Sequence, residues 1–140
     1  MISLTSLAAT AEPKEADACP LSGAEVEKLS GLKFVKTELL PWTFGQTQCK
    51  HTLESGFVQL TRATPEAYQV KTEAEIAAKL EQTDAKRRLK DWPVPAYSFT
   101  GGVNVVLPGG QVWQVLVMQG PKRGLDAMAL GKALAAKKEK

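Results

Sequence analysis

The sequence predicts a single α+β domain in which two helix-then-three-strand units are followed by a last helix, in the order α-βββ-α-βββ-α. Its 140 residues are 44% hydrophobic and 24% charged, which is the size and composition of one globular domain. Two capping boxes mark helix starts, and proline or glycine turns separate short stretches of β-forming residues. An antiparallel-rich sheet that is covered by helices and carries one disulfide would bury every apolar face in this pattern.

The first unit opens at the capping box Ser22-Gly-Ala-Glu25. In such a box the serine accepts a hydrogen bond from the N3 amide, and the glutamate reaches back to the amide of the serine. A short helix is therefore predicted over 23–30, with Gly31 as its left-handed stop. The β-forming stretches that follow predict three strands, at 32–40, 42–52 and 56–63.

The second unit opens at another capping box, Thr72-Glu-Ala-Glu75, which starts a helix predicted over 73–90. Pro93 and Pro95 forbid helix and force extended chain. The turn at 108–110 predicts a hairpin, and its second strand is apolar at nearly every position and so is expected to lie at the centre of the sheet. The remaining predicted elements are strands at 97–100, 103–107 and 112–119 and a final helix at 125–137.

The N-terminus has the composition of an export signal. Residues 1–11 carry no charge and close on Ala9-Thr10-Ala11, an A-x-A cleavage pattern. We interpret residues 1–11 as a signal-peptide remnant, 12–16 as an exposed segment, 17–137 as the single domain and 138–140 as a basic tail. The alternative is an N-terminus that is merely frayed.

The two cysteines, Cys19 and Cys49, agree with export. In an oxidising compartment they would form one disulfide that closes a loop of about thirty residues, whereas in the cytosol they would be two unrelated thiols. We therefore expect a periplasmic or secreted protein. No apolar run approaches the roughly 18 residues that a membrane span needs, so no span is expected.

One stretch carries a family resemblance. It reads Asp17-x-Cys19-x-Leu21-Ser22-x-x-Glu25-Val26. This pattern resembles the opening of a group of exported bacterial proteins and lipoproteins of unknown function, whose domains look like the PsbP-like α/β sandwich. Members of this group have a second cysteine in an early strand, a middle helix, a late hairpin and a terminal helix rich in alanine and lysine. The resemblance covers about 16–137 of this sequence. The resemblance implies a PsbP-like fold and export. It identifies no catalytic residue in this sequence.

Composition and motifs disfavour several function classes. A net charge of +3 is too mild to favour a nucleic-acid partner. The single histidine, His51, excludes HExxH hydrolases and Cys2His2 zinc sites, and the G-x-S-x-G and nucleotide-binding glycine patterns are missing. We expect no enzyme, no catalytic or metal-binding residues and no cofactor. A thiol or metal site at Cys49 and His51, which share one face of a strand, stays open as a less favoured alternative.

The aromatic residues near predicted loop edges are the candidates for binding. Trp42, Phe44, Trp92 and Tyr97 combine large apolar area with, in three of them, a polar group. They predict a non-enzymatic exported binding protein that presents this surface to a protein partner or envelope component, as an inhibitor, immunity or accessory protein. The alternative is a carrier of a small apolar ligand in a cleft between sheet and helices, lined by Trp42, Trp92, Tyr97 and Met118. The sequence indicates no oligomeric state.

Overall fold

The computed structural model describes residues 19–41 and 43–137. The predicted N-terminal segments 1–11 and 12–16, the tail 138–140 and Trp42 lie outside the described residues. The helices are α1 (Gly23–Ser30), the single-turn α2 (Pro65–Tyr68), α3 (Glu73–Thr83) and α4 (Ala127–Ala136). The strands are β1 (Phe34–Pro41), β2 (Thr47–Leu53), β3 (Phe57–Arg62), β4 (Ala96–Phe99), β5 (Gly102–Val106) and β6 (Val112–Met118).

The six strands form one antiparallel sheet in the order β1-β2-β3-β6-β5-β4. The segment that contains α2 and α3 carries the chain from β3 to the far edge, where β4 lies, and β6 then returns to the middle of the sheet. The predicted α+β class, the antiparallel sheet and the disulfide between Cys19 and Cys49 are confirmed. In the part of the chain that the structure describes, no helix combines the length and the apolar character needed to cross a bilayer.

Helices cover the two faces of the sheet unequally. On one face, α1 and α4 pack against the alternate strand residues that form the main core, among them Leu60, Val105 and Val115. On the other face, Ile76 and Leu80 of α3 form a smaller cluster with strand residues at one end of the sheet. The period-2 alternation of side chains along each strand produces this division.

Local chemistry fixes the helix starts. The Oγ of Ser22 accepts a hydrogen bond from the Glu25 amide, and the Glu25 carboxylate accepts one from the Ser22 amide at 2.7 Å. Thr72 and Glu75 form the same reciprocal pair at the start of α3. Gly31 ends α1 with φ 78°, in the left-handed region that glycine enters at no steric cost.

Two predicted boundaries are wrong. The helix predicted over 73–90 ends at Thr83, because Arg88 instead forms an isolated antiparallel bridge with Tyr97 of β4 and the Leu89 amide bonds the Ala96 carbonyl at 2.8 Å. The strand predicted over 42–52 begins only at Thr47. A 3-10 turn over Thr43–Gly45, with positive φ at its last two residues, precedes it.

Candidate functional site

The structure brings Cys19, Cys49 and His51 into one cluster. The cysteines are joined by a disulfide, with their Cα atoms 5.4 Å apart. Cys49 and His51 are two residues apart on β2 and share a face of the sheet, and the Cys49 Sγ lies 3.6 Å from the His51 Nε2. Both of these side chains are buried. The possible ligand atoms of all three residues lie within 4.8 Å of one another.

The hydrogen bonds of His51 assign the tautomer of its ring. The carbonyl oxygen of Leu21 can only accept, so the Nε2 that lies 2.7 Å from it carries the proton and donates. In the neutral ring Nδ1 is then an acceptor, and it receives the hydroxyl of Thr37 at 2.7 Å. The ring of Phe34 packs edge-on against the imidazole, with centroids 5.9 Å apart. The imidazole therefore joins β1, β2 and the segment before α1.

This arrangement limits what the cluster can do chemically. With both sulfurs in the disulfide, Cys49 offers no thiolate for an imidazole to activate. A metal ion at this place would need both sulfurs reduced and the proton of His51 Nε2 removed from its bond to Leu21. In the oxidised protein the cluster is a structural connection between β1, β2 and the N-terminal segment.

The three described aromatic residues of the predicted binding surface, Phe44, Trp92 and Tyr97, do not lie together. Phe44 is exposed, at 62%, within the Thr43–Gly45 turn, whereas Trp42 is outside the described residues. Trp92 is half-buried against the core, where Gly131 allows α4 to approach its ring and the Nζ of Lys132 lies 5.6 Å from the ring centroid. Of the described aromatic candidates, Phe44 is the one that presents most of its side chain to solvent.

Tyr97 is buried, contrary to its predicted position on a binding surface, because the α3 cluster covers β4. Its hydroxyl donates a hydrogen bond to Glu81, and the same carboxylate oxygen pairs with Arg88. Burial, and then the bond to Glu81, raise the pKa of Tyr97 to about 12. The Tyr97 hydroxyl, followed by Arg88, lowers the pKa of Glu81. This residue therefore connects β4 to α3 and is not available for contact with a partner.

A cleft of about 660 Å³ lies at the end of the sheet where β1 ends and α2 begins. Its lining is mainly apolar and includes Leu39, Leu40 and Trp113. Sequence reasoning missed this site because its lining comes from the ends of separate segments. The order of the first three predicted strands could have indicated the site. In an antiparallel meander, the β1–β2 connection and the end of β3 lie at the same end of the sheet.

One ion pair supplies the charge in the cleft lining. Arg62 donates from Nε and Nη2 to a single oxygen of Glu73, at 3.1 and 2.8 Å, and both side chains are partly exposed. Because the two charges compensate each other, the cleft presents apolar surface and a neutral pair. Such a surface suits an apolar or neutral segment better than a highly charged ligand.

The comparisons with known proteins give no relative. No protein-family model, curated protein or solved structure matches the chain.

Proposed function

We propose that the protein is a non-enzymatic exported binding protein that recognises a protein partner, as an inhibitor, immunity or envelope accessory protein. We place the recognition surface at the cleft and the neighbouring turn, Thr43–Gly45. The observation that carries the proposal is Phe44, a large apolar side chain that is 62% exposed beside this apolar cleft. Aromatic residues of this kind supply much of the binding energy at protein interfaces.

The backbone of Phe44 supports this proposal. Its φ of 57° lies in the left-handed region, which costs a residue other than glycine about 1–3 kcal/mol. The hydroxyl of Thr64 donates to the Phe44 carbonyl at 2.8 Å and holds the turn against α2. Strained backbone of this kind clusters at ligand clamps and other functional sites, which supports a role of Phe44 in contact with a partner.

The cysteines support the proposed compartment. A disulfide is compatible with an oxidising location, which supports a periplasmic or secreted protein. We also propose that the chain is related to the exported bacterial proteins and lipoproteins with a PsbP-like sandwich, on the basis of its capped first helix and the order of its elements. This relationship would add export to the fold but no activity.

A carrier of a small apolar ligand is the second candidate, because the volume of the cleft is within the range of ligand sites. The residues proposed from the sequence to line such a pocket, Trp92, Tyr97 and Met118, do not line this cleft. The cleft is also open to solvent. An open apolar cleft beside an exposed aromatic residue favours a segment of a protein over an enclosed small molecule.

Site-specific photo-crosslinking tests the proposal. A photoreactive amino acid replaces Thr47, an exposed residue of the cleft lining, and the chain is irradiated in an envelope extract of the cells that produce it. We expect a discrete adduct with another protein, which Phe44→Ala abolishes. Met118→Ala is the matched control, since Met118 is a comparably exposed apolar residue (52%) and the adduct should survive its loss.

Other outcomes would overturn the proposal. An adduct that is insensitive to Phe44→Ala, or the absence of any adduct, would contradict recognition at this surface. Saturable binding of an anilinonaphthalene sulfonate probe to the folded chain, lost when Thr47→Trp fills the cleft, would favour the carrier instead.

A further inference from the structure

β1 lies at an edge of the sheet, and its outer side has no strand neighbour among the described residues. We propose that β1 pairs with β1 of a second copy of this chain, antiparallel and centred on Thr37. Pairing of this kind would join the two six-stranded sheets into one continuous sheet with two-fold symmetry. The proposal goes beyond the proposed function and does not depend on it.

The sequence of the strand is complementary to itself. Residues 35–39 read Val-Lys-Thr-Glu-Leu. In an antiparallel pair centred on Thr37, Lys36 lies opposite Glu38 of the second copy, and Val35 lies opposite Leu39 of the second copy. Opposite charges and apolar side chains that face each other across strands both stabilise a sheet.

These side chains are available for such a contact. The Lys36 and Glu38 side chains are 59% and 39% exposed, and among the described residues they form only a long ion pair with each other, at 3.9 Å. Val35 is 57% exposed and Leu39 is 37% exposed. The described part of the chain has five exposed large hydrophobic residues, and these two of the five lie on this one edge strand. Pairing with a second copy would bury both.

The charges specify the register. If the pair were centred on Lys36, two lysines would oppose each other, and if it were centred on Glu38, two glutamates would do so. Lysine on an edge strand usually discourages pairing, but here Glu38 restores the attraction in the Thr37 register alone. A sequence that disfavours the neighbouring registers in this way is typical of a specific contact.

The ends of the free edge are also defined. The Phe34 amide already donates to a carboxylate oxygen of Glu27 at 2.9 Å, and Pro41 has no N–H. The free edge therefore runs from Val35 to Leu40, and the irregularity in register beside Val35 lies at its beginning. The opposite edge differs, because β4 has only four residues and Arg88 bridges Tyr97 there.

The second copy would reach the cleft. Leu39 belongs to the cleft lining, and in the proposed register it lies opposite Val35 of the second copy. The dimer would therefore extend the apolar surface along β1. Each protomer would contribute one side chain to the border of the other's cleft.

Sedimentation equilibrium of the full, oxidised chain tests the proposal by charge reversal. The wild-type protein should sediment with twice the 15.1 kDa of one chain. Lys36→Glu or Glu38→Lys alone places like charges opposite each other twice, so each should raise the dissociation constant at least about tenfold. Mixing the two variants should restore a dimer, and so should the double variant Lys36→Glu/Glu38→Lys, because both restore opposite charges across the pair.

The matched control is Arg123→Glu, the same change of charge at an exposed position in the loop between β6 and α4, outside β1, which should leave the dimer intact. Phe44→Ala should also leave it intact, which separates this proposal from partner binding at the cleft. A wild-type chain that stays monomeric at every concentration would overturn the proposal. So would a dimer that ignores both single reversals, or a double variant and a mixture that remain monomeric although their thermal melts are those of folded proteins.

Discussion

His51 Nε2 donates a hydrogen bond of 2.7 Å to the carbonyl oxygen of Leu21, thirty residues earlier in the chain. Leu21 is buried immediately before α1, and the other nitrogen of the ring receives the hydroxyl of Thr37 on β1. The disulfide between Cys19 and Cys49 joins two of the same segments. A covalent bond and two polar bonds thus hold the start of the domain to the sheet at one place.

Removal of the imidazole should therefore destabilise the protein. His51→Leu leaves the buried Leu21 carbonyl without its donor and should lower the free energy of unfolding by about 2–3 kcal/mol. Thr37→Val removes one hydroxyl only and should lower it by about 1 kcal/mol. Urea unfolding of the oxidised proteins measures both. Equal losses in the two variants would contradict the special role of the bond to Leu21.

The disulfide should contribute a comparable amount. Cys19 and Cys49 are separated by 30 residues, and a loop of that size gives about 3–4 kcal/mol on the chain-entropy model. Cys19→Ala/Cys49→Ala should lose this amount in urea unfolding. Reduction of the wild-type chain should produce a similar shift. A double variant as stable as the oxidised wild type would show that α1 is held by its packing and by His51 alone.

Alkaline pH should weaken the protein through Tyr97. Its folded pKa is raised from 10.0 to about 12, so its contribution to stability is complete below pH 10 and is lost as the pH rises towards 12. The urea midpoint of the wild type should fall over this range. Tyr97→Phe should reduce the fall without abolishing it, because burial also raises the pKa of Tyr68. An unchanged pH dependence in Tyr97→Phe would contradict the assignment.

The same contact also makes stability depend on pH in the acid range, where stability is lost as the pH falls. The hydrogen bond from Tyr97, and then Arg88, lower the pKa of Glu81 in the folded protein below its ordinary value of 4.5. The contribution of Glu81 is therefore present above pH 4.5 and is lost as the pH falls through the lowered pKa. Glu81→Gln should flatten the acid dependence of the unfolding free energy. Glu66→Gln is the matched control, since Glu66 is exposed on α2 and its carboxylate forms no ion pair among the described residues, and it should leave that dependence unchanged.

The parts of the fold that depend on neighbours in sequence could be predicted. The capping boxes at Ser22 and Thr72 place helix starts correctly, because their bonds close within three residues. The central position of β6 could also be predicted, because a strand that is apolar at nearly every position is typical of the middle of a sheet. The end of α3 could not be predicted, because the pairing of Arg88 with Tyr97 across nine residues competes with helix continuation.

The candidate site was less accessible to sequence reasoning. Tyr97 and Phe44 are both aromatic residues near predicted loops, yet one is buried and the other exposed. What separates them is the packing of α3 on β4, because Ile76 and Leu80 cover Tyr97 and Glu81, sixteen residues away, accepts its hydroxyl. The cleft forms because Leu39 and Trp113 lie close together at one end of the sheet, and no local sequence pattern predicts that proximity.

Asn104 offers a prediction in the stabilising direction. It is 6% exposed on β5, and its Oδ1 is buried without a hydrogen-bond partner among the described residues. A buried acceptor without a partner carries a desolvation penalty of about 1–3 kcal/mol, and valine both removes that acceptor and suits a strand.

Asn104→Val should therefore raise the free energy of unfolding by about 1 kcal/mol in urea unfolding. Gln48 is the matched comparison, because its Oε1 is unpaired in the same way while its Nε2 donates to Thr61 at 3.2 Å. Gln48→Val removes the unpaired oxygen together with that bond, so its effect should be close to zero. A loss of stability in Asn104→Val would mean that Oδ1 is satisfied in solution, with an ordered water as the partner that the site could hold.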